Sequence, residues 1–316
     1  MTLCIIILSI IILLILLLLC GNYFFSVSLT RNADKSKVLG KVEKTTEDIK
    51  KEEENIKWIS KHTESVYIKS THGNLKLHGC FSKSLKSNNK WIILIHGYKS
   101  SSNSMAIIAK EFYNKSYNII LPDLRGHGKS EGNYVGMGYD ERLDIIDWIN
   151  YIIKIDKDAK IVIMGVSMGA ATTLMTSGEN LPQNVKCAVE DCSYTSAYDE
   201  FKYQMKTKYH MPAFPIIHLS NCICKMRAGY SFLKASPVKF VKKSKIPTLF
   251  IHGDMDTFVP FSMLDILYDS AACEKEKLVI TGATHAESCV VDSEKYYSNI
   301  FRFIDKYMKD CEINDN

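Results

Sequence analysis

Six continuous apolar runs set the terms of the fold: WIILIHG (91–97), NIILPD (118–123), IVIMGV (161–166), VKCAVED (185–191), PTLFIHGD (247–254) and KLVITGA (277–283). Unbroken apolar runs of this length are what strands buried on both faces look like. Helical periodicity fills the intervals. Residues 104–113 put Met105, Ile108, Ala109 and Phe112 on one face. Residues 139–155 do the same with Leu143, Ile146, Trp148 and Ile152, which turns Asp144 and Asp147 outward; 167–175 and 296–308 follow the same period. Strands that alternate with helices require crossover connections. The expected fold is therefore α/β, a mostly parallel, doubly wound sheet forming one catalytic domain. Ahead of it, Val66-Tyr67-Ile68 and residues 75–81, separated by Thr71-His72-Gly73-Asn74, read as an antiparallel hairpin.

One interval breaks the alternation. Between about 194 and 235 there is no strand-like run, and Tyr198, Phe201, Met205, Tyr209, Met211 and Phe214 gather around Pro212 and Pro215. An aromatic- and Met-rich insertion between two strands is expected to form a small helical lid over a cleft, with an extra helical pair packed on the core as the alternative.

The N-terminus is of a different kind. Residues 1–27 carry no charged side chain, and only Ser9 interrupts the apolar run from Leu3 to Cys20, long enough to cross a hydrocarbon layer. No basic residue precedes this run and no small-residue cleavage site follows it, so it is read as a transmembrane helix rather than a cleaved signal peptide. A leucine stands where a lipobox needs a small residue before Cys20. Arg31, Lys35, Lys37 and Lys41 follow the helix, which keeps the soluble part cytoplasmic by the positive-inside rule; exported members of the family named below argue the other way, so the side stays open. The division expected is a transmembrane anchor (1–30), a charged juxtamembrane stalk (31–62), solvated and of both charge signs, and a catalytic domain (63–316).

Charge and cysteine content exclude several functions. A net charge of +5, with basic and acidic residues interleaved, argues against nucleic acid as a partner. The ten cysteines are scattered without regular spacing and read as reduced thiols rather than a disulfide framework. Cys222-Ile-Cys224 with His218 lacks the paired spacing of a zinc site, so no metal is expected. GHGKS at 126–130 has Asp123 where a phosphate-binding loop needs its first glycine. No cofactor is implied.

GVSMG (165–169) is the stretch that carries chemistry. As a bare pentapeptide it arises by chance in about one chain in ten of this length. Its position changes that: a buried strand precedes it and a helix follows, so Gly165 and Gly169 can form the sharp turn that lifts the Ser167 hydroxyl above the sheet. Ligands of open parallel sheets bind beyond the carboxyl ends of the strands. The later strand ends supply Asp191, Asp254, Asp256 and His285, so serine, acid and histidine occur in that order. A serine hydroxyl needs a base in reach and a carboxylate to orient that base.

Together His96-Gly97-Tyr98, DLRGHGKSEG (123–132), GVSMG, HGDMDTFVP (252–260) and GATH (282–285) resemble the α/β-hydrolases, from about residue 65 to the C-terminus. The HGDMDTFVP form is similar to bacterial membrane-anchored or secreted members near the prolyl-oligopeptidase hydrolase domain, without a preceding propeller. The resemblance implies Ser167 as nucleophile, His285 as base and Asp256 as the acid, with Asp254 and Asp191 as rival acids. It also implies an oxyanion hole from the backbone N–H groups of Tyr98 and Met168. His96 is expected to be a structural histidine of the oxyanion loop, and Asp123, Arg125 and His127 to brace a loop. His62, His72, His78, His210, His218 and His252 show no partner pattern. The function expected is a serine hydrolase acting on an ester or similar acyl bond. The alternatives are a peptidase or acyltransferase on the same triad and a catalytically silent, membrane-held binding protein. The expected partners are a small-molecule ester or acyl substrate and, through the N-terminal helix, a membrane.

Overall fold

A computed structural model describes residues 1–34 and 45–309, apart from the Asp48 side chain. An apolar helix, α1 (Thr2–Leu29), opens the chain and is followed by α2 (Thr46–His62). The hairpin expected near residue 70 forms β1 (Glu64–Lys69) and β2 (Lys76–Ser82). The alternating series follows: β3 (Lys90–Ile95), α3 (Ala106–Asn114), β4 (Asn118–Pro122), α4 (Glu141–Ile155), β5 (Lys160–Val166), α5 (Met168–Ser177) and β6 (Val185–Asp191). The insertion contributes α6 (Ala197–Thr207), α7 (Ile216–Ala228) and the short α8 (Pro237–Val241). The chain closes with β7 (Thr248–Gly253), α9 (Ser262–Ser270), β8 (Lys275–Ile280), α10 (Ser288–Val291) and α11 (Ser293–Met308).

The strands form an eight-stranded sheet in the order β1-β2-β4-β3-β5-β6-β7-β8. From β4 to β8 every pair is parallel; β2 is antiparallel to both β1 and β4. Strand residues alternate between two cores, as a period of two requires. Ile93, Ile95, Ile161 and Ile163 face a layer containing α4 and α5, whereas Ile92, Leu94, Val162 and Met164 face one containing α3 and α11. Burial on both faces is why these strands read as unbroken apolar runs.

Three expectations change. The face of α4 is rotated: Ile145, Trp148, Ile149 and Ile152 form its core stripe, while Leu143 and Ile146 lie half-buried on the rim. Asp144 and Asp147 are buried rather than outward, because the loops after β4 and β1 cover that side. Asp144 pairs with Arg125 at 2.6 Å and accepts from the Ser70 hydroxyl at 2.7 Å, and Asp147 accepts from the Thr71 N–H at 2.8 Å.

The stalk expected over 31–62 lies partly outside the described residues. Its described remainder is not free. Helix α2 buries Ile59 in the second core and sets Trp58 edge-on to Tyr113, because apolar side chains recur on one face of an otherwise charged helix. Arg31 donates to the Gly128 carbonyl at 2.8 Å.

The third concerns α1. Residues 3–19 are exposed apart from half-buried Leu17, but Phe25 and Leu29 are fully buried in the first core. The helix therefore runs without a break from an exposed apolar stretch into the α/β domain, where a boundary near residue 30 was expected. A Cβ at Gly21 would meet the Leu219 Cβ at 2.8 Å, so glycine is what lets α1 and α7 pack this closely.

Candidate active site

The turn between β5 and α5 holds Ser167 at φ 58° and ψ −119°, a conformation that non-glycine residues rarely adopt. Its neighbours leave no alternative. A Cβ at Gly165 would fall 2.1 Å from the Gly169 carbonyl oxygen, and one at Gly169 would fall 2.0 Å from that of Ile95. The Ser167 N–H donates to the Asp191 carbonyl at 2.8 Å, tying the turn to the next strand. Strained backbone persists only where its surroundings over-determine it, and active sites are where such strain collects.

His285, in the loop after β8, stands between the serine and an acid. Its Nε2 lies 2.8 Å from the Ser167 Oγ and its Nδ1 2.7 Å from the Asp256 Oδ2. With the Nδ1 proton donated to the carboxylate, Nε2 is left as an acceptor for the serine hydroxyl. Asp256 is fixed from the other side, since its Oδ1 accepts from the Phe258 and Val259 N–H groups, both at 2.9 Å. Burial opposes its ionisation, yet hydrogen bonds from His252 and His285 hold its carboxyl down at about 2. It is ionised throughout the neutral range.

The rival acids sit elsewhere. Asp254 accepts from the Gly282 N–H at 2.7 Å, bracing the loop after β8. Asp191 accepts from the Ser288 and Tyr296 hydroxyls at 3.1 and 3.0 Å, and burial, partly offset by Tyr296, pushes its carboxyl up to about 6. Of the three, Asp256 is the carboxylate bonded to His285.

On the opposite side of Ser167, the loop after β3 approaches closely: a Cβ at Gly97 would lie 3.4 Å from the Ser167 Cβ. Tyr98 and Met168 both line the cavity that contains Ser167. The loop is braced as the sequence implied. His96 Nε2 accepts from the Leu124 N–H, and His127 Nε2 from the Lys99 N–H, each at 3.1 Å. Asp123 accepts from the Ser102 and Lys129 N–H groups at 2.8 and 2.9 Å and contacts His78 at 2.8 Å. Burial works against its ionisation, but those bonds, that of His78 foremost, hold the carboxyl well below the usual range.

Sequence reasoning missed four features. His252 puts its Nε2 3.2 Å from the same Asp256 Oδ2 that His285 contacts, both side chains being fully buried; it lies inside the HGDMD stretch, four residues before the acid. The Cys192 Sγ lies within 4.8 Å of donor atoms of Asp256 and His285. Glu200 of α6 reaches the cavity, and burial, only partly offset by a hydrogen bond from Gln204, pushes its carboxyl up to about 8. An acidic residue in an otherwise aromatic insertion was the available signal. Finally, Phe24 and Ser28 of α1 line the cavity. Tyr98 donates its hydroxyl to the Ser28 carbonyl, and Lys99 donates to the Val27 and Ala33 carbonyls, both at 3.1 Å.

Comparison with known proteins agrees with this architecture. A family model described as the alpha/beta hydrolase fold matches residues 90–212, which include Ser167. YqkD of Bacillus subtilis is 26% identical over 215 residues, covering 68% of this chain and 70% of its own. A thermostable monoacylglycerol lipase of a Bacillus species is 22% identical over 249 residues, covering 68% and 90%. Among solved structures, the Pyrococcus furiosus esterase Pf2001 superposes with a TM-score of 0.66 at 23% identity, covering 80% of this chain and 94% of that one. Sheet order, the glycine-bounded serine turn and the family match over that turn agree: this chain has the α/β-hydrolase fold.

Proposed function

We propose that the protein is a serine hydrolase that cleaves carboxylic esters through an acyl-enzyme, held at a membrane by the N-terminal part of α1. The observation that carries this reading is His285, which bridges Ser167 and Asp256 at 2.8 and 2.7 Å beneath a turn that only two glycines permit.

His285 Nε2 takes the hydroxyl proton as the Ser167 Oγ bonds to the ester carbonyl carbon, whose π electrons move to the oxygen. The N–H groups of Tyr98 and Met168 receive that oxyanion, and the α5 N-terminus adds a favourable field. As the tetrahedral species collapses, the bond to the alcohol oxygen breaks and the imidazolium returns the proton to it. Water then repeats the sequence on the acyl-serine and frees the carboxylic acid. Ionised Asp256 holds the Nδ1 proton and balances the transient charge on His285. The chemistry of the residues calls for no cofactor.

The membrane part of the reading rests on length. Residues 3–20 rise about 27 Å as a helix, close to the thickness of a hydrocarbon core.

The test is labelling of the detergent-solubilised full chain with a fluorophosphonate, alongside p-nitrophenyl esters and aminoacyl anilides. Ser167→Ala is expected to abolish both labelling and ester turnover, with the anilides turned over poorly by the unaltered chain. Labelling that survives Ser167→Ala overturns the nucleophile assignment; anilides preferred to esters make the protein a peptidase.

A further inference from the structure

The cavity at Ser167 is small, about 40 Å³, and admits little more than the reacting ester group. Behind it lies a second space. Phe24 of α1 and Tyr209, in the loop after α6, line both the Ser167 cavity and a cleft of about 490 Å³. That cleft runs between α1, which contributes Leu16, Leu19 and Val27, and the insertion, which contributes Met205, Met211 and Ile216. None of its described lining residues is charged. Its volume is that of a small-ligand site.

We propose that this cleft holds the acyl chain of a single-chain lipid ester, which enters along α1 directly from the bilayer. The inference rests on the ester-hydrolase reading and deepens it by naming the substrate class. Two observations commit the cleft to a lipid chain. Phe24 and Tyr209 are walls of both this cleft and the cavity of the nucleophile, so only those two side chains need turn aside for an occupant of the cleft to present its carbonyl to Ser167. Its outer end is framed by Leu16 and Leu19, the last turns of the stretch of α1 long enough to cross a membrane, and by half-exposed Met211. Nearby on the insertion Phe214 is 70% exposed, an apolar edge where a bilayer surface would meet it. The narrow passage at Ser167 suits one chain in single file. The head group then leaves on the side of Glu200 and Gln204, the polar residues of the inner cavity.

Each methylene moved from water into such a cleft favours binding by about fourfold. The kcat/KM of the full chain in detergent is therefore expected to climb from p-nitrophenyl acetate to the dodecanoate. Ile216→Trp fills the cleft and touches no residue of the triad. It is expected to lower kcat/KM for the dodecanoate at least tenfold, while that for the acetate, the control for folding, changes less than twofold. Independently, the Ser167→Ala chain in phosphatidylcholine vesicles is irradiated with a monohexadecanoylglycerol carrying a diazirine near its methyl end. Adducts are expected on residues 16–27 and 205–216. Unchanged dodecanoate turnover in Ile216→Trp, an equal loss on both esters with an unaltered melting temperature, or adducts elsewhere overturns the proposal. If the unaltered chain hydrolyses no ester, the hydrolase reading fails while the adduct positions still decide the cleft.

Discussion

The floor and the roof of the candidate active site are built by opposite means. On the floor each group of the proposed triad sits within a few residues of a strand end, and backbone geometry dictates its place: Ser167 is wedged between two glycines that tolerate no Cβ, and Asp256 is clamped by two backbone N–H groups. The roof is α1 together with the insertion, and it hangs on side chains reaching for main-chain carbonyls. Tyr98 and Lys99 bond to carbonyls near the end of α1, and the Ser220 hydroxyl bonds to the Gly21 carbonyl at 2.7 Å. A floor of this kind is all-or-none in its chemistry. A roof of this kind can be tuned, because its contacts are many, separate and individually modest.

The sharpest way to break the contrast is at the acid. Asp256→Asn keeps the side-chain shape but no longer fixes the histidine tautomer, and it is expected to lower kcat by about 10⁴-fold with the fold intact. Asp254→Asn keeps an oxygen able to accept from the Gly282 N–H and is expected to leave kcat within about threefold, as a surface hydrogen bond does. Steady-state ester kinetics on both variants decide it. A large loss in Asp254→Asn with little in Asp256→Asn would move the acid and detach the floor from the geometry described.

The roof is probed at Gly21, where α1 lies closest to α7. Gly21→Val forces the Leu219 side chain and the Ser220 backbone away from α1. Overpacking of this kind costs about 1–3 kcal/mol of stability. Phe24 and Ser28, carried on the same helix, are shifted with it, and a misplacement of this order is expected to lower ester turnover about tenfold. Fluorophosphonate labelling of Ser167 is expected to persist, because the floor is untouched. Loss of labelling together with turnover would mean that floor and roof are one unit.

The same contrast explains what could be read in the sequence. Buried strands announce themselves as apolar runs, and the order serine, acid, histidine follows from where those strands end, so the sheet and the proximity of Ser167, Asp256 and His285 were legible. What was not legible depends on partners distant in the chain. Asp144 lies on the polar side of its helix by period, and only the Arg125 guanidinium and the Ser70 hydroxyl make its burial tolerable. The role of α1 was hidden for the same reason, since Ser220 and Gly21 are 199 residues apart. A helix with an apolar run long enough for a membrane offers no internal sign that its last third lines the cavity of Ser167. His252 went unread because its partner is shared: a carboxylate oxygen that accepts from two histidines cannot be inferred from one acid followed by one base.

The smallest expected effect on turnover is at Glu200, where roof meets floor, and its readout is stability. Its Oε1 accepts from Gln204 at 2.9 Å, and its Oε2 has no hydrogen-bond partner among the described residues. Burial pushes the carboxyl from 4.5 up to about 8, so the folded chain keeps a proton that the unfolded chain releases. A pKa raised in the folded state gives stability that is complete below the unfolded value and is lost as pH rises through the folded one. The window therefore runs from about 4.5 to about 8. Glu200→Gln is neutral at every pH, retains an acceptor for Gln204 and places no charge near Asp256. Its melting temperature is expected to match the unaltered protein near pH 4, below both values, and to exceed it by several degrees at pH 8.5, where the unaltered chain must bury a charge. Thermal unfolding of both proteins across that range is the measurement. A difference that stays constant with pH would mean that Glu200 is ionised in the folded state and that the inner cavity is wetter than its walls imply.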